Sequence, residues 1–398
     1  MSAGNTTPSP EREGEPPGRD AGPAPVGFVA RARAALSTLT LLPGILILAA
    51  WMLGNLCSDR WYWSQWLEWI PTSVALAASG VFFSLAGLLH PRGPRDRRSS
   101  RARLLASVAW GLVLVYMLLV DWRMPNAFKD REQPGPGSTR VLFWNAAAED
   151  EPGWSRAALG ENADVIVLVS LKNDDELARI SKSMGESESV IVMDRFTVLS
   201  RRKIERYALT QLDIAPGEGL DPRQRTGTRK WADPGHAMFI ELAADEHRPS
   251  MCVWVLDLPS DLSLARHEIT QQAAQVLREF RGPALKPNRL RAWEEDESTT
   301  LRGFPEPDLI IGDFNIPRGS ASLDAITRGK PNAFDQCGFG PTASWPCKWP
   351  RTKRAIVPVL HLDQMFVGPA LRATNYTLIN PGSGTHRMQR ADVVATSR

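Results

Sequence analysis

Three apolar segments near the N-terminus constrain this chain more than any other feature. They cover residues 34–56, 69–89 and 104–120, and the third, LLASVAWGLVLVYMLLV, contains no charged side chain. Each is close to the length that a helix needs to cross about 30 Å of hydrocarbon. A helix of a soluble bundle has a polar stripe every three to four residues, and these segments show none. We therefore predict three transmembrane helices within residues 34–122.

Arginines predict the orientation of these helices. The connection between the second and third segments carries six of them, namely Arg92, Arg95, Arg97, Arg98, Arg101 and Arg103. The first connection has only Arg60, which Asp59 and Glu68 balance, and it is rich in Trp. Positive charge collects in cytoplasmic loops, and aromatic rings favour the membrane interface. We predict an integral protein of a bacterial-type plasma membrane with a cytoplasmic N-terminus and an extracytoplasmic C-terminal part.

Composition divides the rest of the chain. Residues 1–33 are predicted to form a cytoplasmic tail, disordered over its Pro- and Gly-rich part, and residues 123–137, which end in QPGPGS, to form a linker. The net charge of +3 is too small to indicate a polyanion partner. No Cys-x-x-Cys pair suggests zinc, and pairing of Cys337 with Cys347 is left open.

Residues 138–398 read as an α/β domain. Short strand-like runs recur there, namely RVLFWNA, DVIVLVS, ESVIVM, FTVLSR, HAMFIEL, CVWVLDL, DLIIGDF and LDQMFVG. Residues 264–280 have a helical pattern. Strands mixed with helices over this length indicate a layered α/β domain.

The string LIIGDFNIPRGSASLDAI is the most informative about chemistry. Its apolar run ends in Gly-Asp-x-Asn, which places Asp313 and Asn315 two positions apart and so on one side of a strand end. A carboxylate and an amide in that arrangement suit a site that holds a water and a phosphate. The alternative is an ordinary exit from a strand into a turn, where Asp and Asn are common.

Five residues carry a resemblance to the endonuclease/exonuclease/phosphatase superfamily of deoxyribonuclease I-like proteins. They are Asn145 in RVLFWNAAAED, Asp313 and Asn315 in GDFN, Asp363 in HLDQMFV, and His386 in GSGTHRMQRADVV. Their order and spacing match the family over the whole of residues 138–398. The three apolar segments ahead of such a domain resemble membrane-anchored bacterial proteins of the VanJ-like group.

This resemblance implies a four-layer sandwich of two packed mixed β-sheets flanked by helices, and hydrolysis of a phosphoester with Mg²⁺ or Mn²⁺. Asp313 would contact the metal and align the attacking water. Asn145 and Asn315 would orient the phosphate, and His386, supported by Asp363, would stabilise charge in the transition state. The implied partners are the lipid bilayer and a phosphorylated small molecule or lipid-linked substrate, with nucleic acid as a further candidate.

Three positions depart from the family pattern. Ser170 stands where the family has its metal-binding Glu, and Thr385 stands where the closing motif has a metal-binding Asp. Asp257 occupies the place of a family His. Because Mg²⁺ is normally held by one or two protein carboxylates, these changes weaken the expected metal site.

Two alternatives therefore stay open. In the first, Asp257, Asp174, Asp175 or Glu149 supplies replacement ligands and a phosphoesterase survives. In the second, the domain has lost hydrolysis and is a binding or structural module, which includes recognition of phosphate without metal by His386 and amides. A transport function of the helices is disfavoured because they contain no charge.

The remaining histidines lack partners at ligand spacing, and we interpret them as structural or exposed. They are His236, His247, His267 and His361. His361, which lies two residues before Asp363, is the one of these that is most easily mistaken for a catalytic residue.

Overall fold

The computed structural model describes residues 27–90, 97–130, 132–147, 153–171, 174–184, 189–214, 233–286, 300–348, 354–382 and 384–396. The first 26 residues, most of the predicted tail, lie outside this set. The N-terminal helices are α1 (Phe28–Cys57), α2 (Tyr62–Glu68), α3 (Thr72–Leu89) and α4 (Arg97–Tyr116), and α4 continues as a π-helix over Met117–Asp121.

Among the described residues, three helices are long and apolar enough to cross a membrane. They are Phe28–Cys57, Thr72–Leu89 and Arg101–Asp121, and only 28%, 22% and 11% of their apolar windows are buried within the protein. So much exposed apolar surface is stable in hydrocarbon and costly in water. The short α2 lies between the first two of these helices and carries aromatic side chains, of which Trp61 and Trp63 are half exposed and stacked on each other.

The C-terminal part begins at Ser138 with a strand, and its elements follow the predicted runs. The strands are β1 (Ser138–Asn145), β2 (Val165–Val169), β3 (Ser189–Met193), β4 (Phe196–Ser200), β5 (Ile204–Gln211), β6 (His236–Leu242), β7 (Met251–Asp257), β8 (Arg281–Pro283), β9 (Thr300–Arg302), β10 (Leu309–Asp313), β11 (Asp363–Val367), β12 (Leu371–Ile379) and β13 (Met388–Ala395). The helices are α5 (Trp154–Gly160), α6 (Asp174–Met184), α7 (Arg266–Glu279), α8 (Asp324–Thr327) and α9 (Ala333–Cys337). Each of the eight predicted runs forms a strand, and the helix predicted over residues 264–280 is α7.

Two mixed sheets contain most of these strands. The first sheet has the order β12-β13-β1-β2-β4-β3, and the second has the order β11-β10-β7-β6-β5. The parallel pairs β1–β2 and β7–β10 lie near the middle of their sheets, and antiparallel strands surround them. Parallel pairs put their carboxyl ends at one edge of the sheet, which is where side chains at strand ends meet.

The sheets pack face to face and helices cover their outer faces. In β1, Val141 and Phe143 belong to the core between the sheets, whereas Leu142 and Trp144 pack against α5 and α6. The outer face of the second sheet packs against α7 through residues such as Leu277. The fold is therefore the predicted four-layer sandwich of two packed mixed sheets flanked by helices. Strands covered on both faces are apolar throughout, which explains why these runs were readable in the sequence.

Polar contacts join the sandwich to the helical region. Asp59 accepts hydrogen bonds from the Ser322 backbone N–H at 3.0 Å and from its hydroxyl. The Gln65 side-chain oxygen accepts from the Arg266 backbone N–H at 3.0 Å. These residues are buried in the contact. The sandwich is thus held against the ends of α1 and α2.

The segment predicted as a linker also contacts the sandwich. Arg123 forms an ion pair with Asp335 at 2.9 Å, and the Asn126 amide donates to the Gly338 carbonyl at 2.9 Å.

Cys337 and Cys347 are not joined by a disulfide in the structure, so the pairing that the sequence left open is not formed.

Candidate active site

The site lies where the apolar stripe of the core ends in polar residues. Along β7, β10 and β11 the side chains that face the other sheet include Val255, Ile311 and Met365. Alternation places Asp257, Asp313 and Asp363 on that same inner face. Asp313 pairs in register with both other aspartates, so the three form a row across adjacent strands, which we call the carboxylate row. All three are buried.

Asn145 connects the two sheets at this row. It is the last residue of β1 in the first sheet, and its side-chain amide donates to Asp313 Oδ2 at 2.7 Å. Its own side-chain oxygen accepts from the Ala147 backbone N–H at 2.8 Å, which fixes the amide orientation. Both groups are buried, so the bond bridges the sheets at the rim of the core.

His386 completes the cluster from the loop before β13. Its Nδ1 lies 2.9 Å from Asp363 Oδ2 and 3.9 Å from Asp313 Oδ2. The backbone N–H of Asp363 donates to Ser344 Oγ at 3.2 Å, and Trp144 donates to the His386 carbonyl at 3.1 Å. The bond to Asp363 fixes the ring, and no described residue contacts Nε2 through a hydrogen bond.

The negative charges of Asp363 and Asp313 favour the protonated form of the His386 imidazole. Burial lowers the pKa of His386, but the charges of Asp363 and Asp313 outweigh it and raise the pKa to about 9. Burial and the charge of Asp363 raise the pKa of Asp313 to about 7, although His386 opposes the rise. At neutral pH the site therefore holds a positive imidazolium and a carboxyl group that gains or loses a proton readily.

Asn315 differs from the sequence expectation. The strand ends at Asp313, and Asn315 has a φ of 50° in the left-handed region that Asn tolerates better than most residues. Its side-chain amide donates to the Leu258 carbonyl at 2.8 Å, while its backbone N–H donates to Asp313 Oδ1 at 3.0 Å. The expected alternation therefore does not reach Asn315. It positions Asp313 through its backbone and joins β10 to the end of β7 through its side chain.

The two positions at which the resemblance predicts metal-binding carboxylates carry neutral side chains, Ser170 and Thr385. Ser170 directly follows β2, and its φ of 53° turns the chain away from the strand direction. Its backbone N–H donates to the Arg195 carbonyl at 2.8 Å. The Thr385 carbonyl accepts from the Cys347 backbone N–H at 2.7 Å, beside His386. Ser170 and Thr385 thus lie beside the ends of the strands that form the site, but neither supplies the carboxylate that the resemblance predicts.

Arg195 is a site residue that the sequence analysis missed. It lies in the two-residue turn between β3 and β4, and its Nη1 bridges Asp257 Oδ2 at 2.7 Å and Asp233 Oδ2 at 2.8 Å. Burial raises the pKa of Asp257 to about 6 although Arg195 opposes the rise. Two apolar runs separated by two residues, ESVIVM and FTVLSR, are consistent with a hairpin in the sequence. The contact of the Arg195 side chain with the second sheet could not be predicted in that way.

Of the other predicted ligands, Asp175 is exposed on α6 and is not part of the cluster. Glu149 and the side chain of Asp174 lie outside the described residues. His236 is buried and pairs in register with Asp257, and its Nε2 lies 3.1 Å from Asp194. His361 is buried against Phe334 and Tyr376, in agreement with its expected structural role.

A resident divalent cation does not fit this donor set. Ligand atoms that lie within 4.8 Å of one another come from Asp313, Asp363 and His386. The histidine nitrogen in that group already bonds Asp363, and a protonated imidazole cannot bind a metal. The substitute ligand Asp257 is paired with the guanidinium of Arg195, which repels a cation. Ser170 and Thr385 offer no charge, so the two further carboxylates that the resemblance implies for Mg²⁺ or Mn²⁺ are absent at these positions.

Comparisons with known proteins show structural likeness at low sequence identity. No protein-family model and no curated protein matches the chain. The structure is similar to an endonuclease/exonuclease/phosphatase family protein from Bacteroides thetaiotaomicron, with 12% identity, 67% of this chain and 100% of that chain covered, and a TM-score of 0.42. It is similar to the human Nocturnin catalytic domain with bound sulfate anion, at 14% identity, 68% and 99% coverage and a TM-score of 0.42. It is also similar to a mannosyl-6-phosphatase from Bacteroides thetaiotaomicron, at 12% identity, 64% and 99% coverage and a TM-score of 0.41.

Proposed function

We propose that this chain is a membrane-anchored protein of the endonuclease/exonuclease/phosphatase superfamily whose C-terminal domain recognises a phosphorylated group without a resident metal. The observation that carries the proposal is the buried cluster of Asn145, Asp313, Asp363 and His386, linked from one sheet to the other by hydrogen bonds. It contains four of the five residues that carry the family resemblance, whereas Ser170 and Thr385 stand where the resemblance implies two metal-binding carboxylates.

The cluster suits a phosphoryl group. His386 is held as an imidazolium by Asp363 and has Nε2 available to donate a charge-assisted hydrogen bond to a phosphoryl oxygen. Asp313, with a pKa near neutrality, takes up a proton when an anion approaches and then donates as well. Asn145 keeps Asp313 in place through its amide. Binding of a phosphate is therefore coupled to protonation of Asp313.

A second candidate function is hydrolysis of a phosphoester. The observation that favours it is again the pKa of about 7 at Asp313, because a general base works best when its pKa lies near the working pH. In that case Asp313 would accept a proton from the attacking water, and His386 would stabilise charge on the phosphoryl oxygens. Turnover that is lost in Asp313→Ala and present in wild type separates this function from recognition alone.

Contacts with the helical region support a site near the membrane. After β10 the chain donates from Ser322 to Asp59 and from Arg318 to the Asp121 carbonyl, the latter at 2.6 Å. The segment after β7 contains Arg266, which is buried and whose backbone N–H donates to the Gln65 side chain of α2. The Arg266 guanidinium donates to the Pro259 carbonyl at 2.7 Å and lies 5.4 Å from the centroid of the Trp69 ring, so it contacts both the segment after β7 and the helical region.

We therefore propose a lipid-linked phosphate as the ligand class. The segment after β10 contacts Asp59 and Asp121 at the ends of apolar helices, and the segment after β7 contacts Gln65 of α2. Trp61 and Trp63 in the same region are half exposed, which suits a membrane–water interface. A phosphate carried by a lipid is held at that interface. The cytoplasmic N-terminus and the extracytoplasmic placement of the domain, inferred from the arginines of the second connection, belong to the same proposal.

The test uses the full chain in phosphatidylcholine nanodiscs with or without phosphatidic acid, in the presence of EDTA. A ligand that binds only the folded state raises the temperature of unfolding. We expect phosphatidic acid to raise it in wild type and in His247→Asn, which changes an exposed histidine away from the cluster, and not in His386→Asn. Equal responses of all three proteins, or a response to a single-stranded oligonucleotide instead of the lipid, would contradict the proposal.

A further inference from the structure

The turn that carries Arg195 lies against the end of β2. Residues 194 and 195 form the two-residue connection of the β3–β4 hairpin, and Asp194 has a φ of 51°. The Arg195 carbonyl accepts from the Ser170 backbone N–H at 2.8 Å. The backbone of Arg195 therefore lies beside Ser170, the position at which the resemblance predicts a metal-binding carboxylate.

The Arg195 side chain crosses from the first sheet to the second. Its Nη1 lies 2.7 Å from Asp257 Oδ2 and 2.8 Å from Asp233 Oδ2. Asp257 pairs in register with Asp313, so the guanidinium lies one strand away from the centre of the carboxylate row. On the other side of Asp313, the next strand begins with Asp363, which holds His386. Two cationic side chains thus flank Asp313.

These cations balance the buried acidic row in the way that a metal ion would. Buried carboxylates need a nearby positive charge or a proton to remain buried. Asp257 has Arg195, and Asp363 has His386. A guanidinium stays charged at any physiological pH, and its planar fork of N–H groups matches phosphoryl oxygens. No described residue accepts a hydrogen bond from Nε or Nη2 of Arg195, and 30% of its side chain is exposed.

We propose that Arg195 is a phosphate-binding residue that takes the place of the divalent cation, so that a phosphoryl group binds between the Arg195 guanidinium and the Nε2 side of the His386 ring. This inference rests on the proposed function and adds to it the residue that makes the site independent of metal. Arg195 Nη1 stays on Asp257 and Asp233, and the remaining N–H groups of Arg195 donate to the ligand.

The first experiment measures binding of inorganic phosphate to the full chain in nanodiscs by isothermal titration calorimetry, with EDTA present. We expect wild type to bind, Arg195→Gln to bind at least about tenfold more weakly, and Arg195→Lys to fall between them. Arg248→Gln is the matched control, because Arg248 also bridges two aspartates, Asp164 and Asp245, at the opposite end of β2. It should bind phosphate as wild type does.

The outcomes separate the two proposals. If wild type binds no phosphate, the proposed function fails and this inference fails with it. If wild type binds phosphate in EDTA and Arg195→Gln binds it equally well, the proposed recognition survives and the role of Arg195 is overturned. Thermal unfolding of each variant in the same nanodiscs verifies that a loss of binding does not come from a loss of folding.

A second experiment measures Mn²⁺ affinity in the absence of phosphate, and so tests whether the Arg195 guanidinium occupies the place of a metal ion. The double substitution Ser170→Glu with Arg195→Gln removes the guanidinium from Asp257 and adds a carboxylate at the end of β2. We expect this variant to bind Mn²⁺ at least about tenfold more tightly than wild type in an electron paramagnetic resonance titration. Equal Mn²⁺ affinity in the two proteins would contradict the substitution of a side chain for a metal ion.

Discussion

Replacing Asp363 by Asn removes one negative charge from the His386 imidazole while the shape of the side chain stays the same. In wild type the pKa of His386 is raised from 6.5 to about 9, and the causes that raise it are Asp363, Asp313 and, more weakly, Asp257. That difference corresponds to about 3 kcal/mol of preferential stabilisation of the imidazolium. Burial acts in the opposite direction and remains in the variant. We expect the pKa of His386 to fall to its ordinary value or below.

The assay is a pH titration of the full chain in nanodiscs by NMR, with ¹³C at Cε1 of histidine. The chain has 6 histidines, and His386→Asn assigns the signal. In wild type the His386 signal should titrate near 9, and in Asp363→Asn at or below 6.5. A His386 signal that still titrates near 9 in Asp363→Asn would refute the role assigned to the Asp363 carboxylate.

The same substitution has a defined effect on stability. Because the folded-state pKa of His386 lies above its unfolded value, its contribution is fully present below 6.5 and is lost as the pH rises through about 9. Wild type should therefore exceed Asp363→Asn in unfolding free energy by about 2–3 kcal/mol near pH 6, and the gap should close above pH 9. A gap that is constant with pH would show that the loss comes from packing alone.

Two further predictions concern the GDFN segment. A Cβ at Gly312 would lie 2.1 Å from the Leu256 carbonyl oxygen of the neighbouring strand, so Gly312→Ala should lose at least about 3 kcal/mol in urea unfolding, whereas Gly160→Ala, with no atom within 4 Å, should not. Asp313→Asn should gain stability relative to wild type as the pH rises from about 4 to about 7, and the difference should stay constant at higher pH, because the folded-state pKa of the buried wild-type carboxyl is raised to about 7 and the unfolded chain releases that proton at lower pH. A gain that is independent of pH in thermal unfolding would contradict the assigned pKa.

The sequence was informative where burial on both faces leaves an unbroken apolar run. It predicted the parallel pairs β1–β2 and β7–β10. Asn145 and Asp313, which end β1 and β10, meet Asp363, which begins the antiparallel β11, because these strand termini share one edge. The eight predicted runs do not include β5, β8, β9, β12 or β13. Of these, β5 and β12 lie at the edges of their sheets, and polar residues such as Arg372 and Asn375 interrupt the apolar pattern of β12. One face of an edge strand is open to water, so its sequence is less distinctive.

Local sequence rules also failed at the two positions where the backbone turns back. Asn315 takes a left-handed conformation immediately after β10, so two-residue alternation places its side chain wrongly. Arg195 reaches the site from the opposite sheet across a long side chain, and contacts of that kind depend on how the sheets pack. The missing carboxylates at Ser170 and Thr385 were readable from the sequence, whereas the cation that faces Asp257 in their absence was visible only in the structure.

The most direct test of phosphate recognition is the ¹⁵N signal of His386 Nε2 in the full chain, followed as inorganic phosphate is added in the presence of EDTA. We predict a saturable shift of this signal, with the exposed His247 unchanged, because Nε2 donates to a phosphoryl oxygen while Nδ1 remains on Asp363. No shift at His386, or a shift that appears only when Mg²⁺ replaces EDTA, would contradict metal-independent recognition at this site.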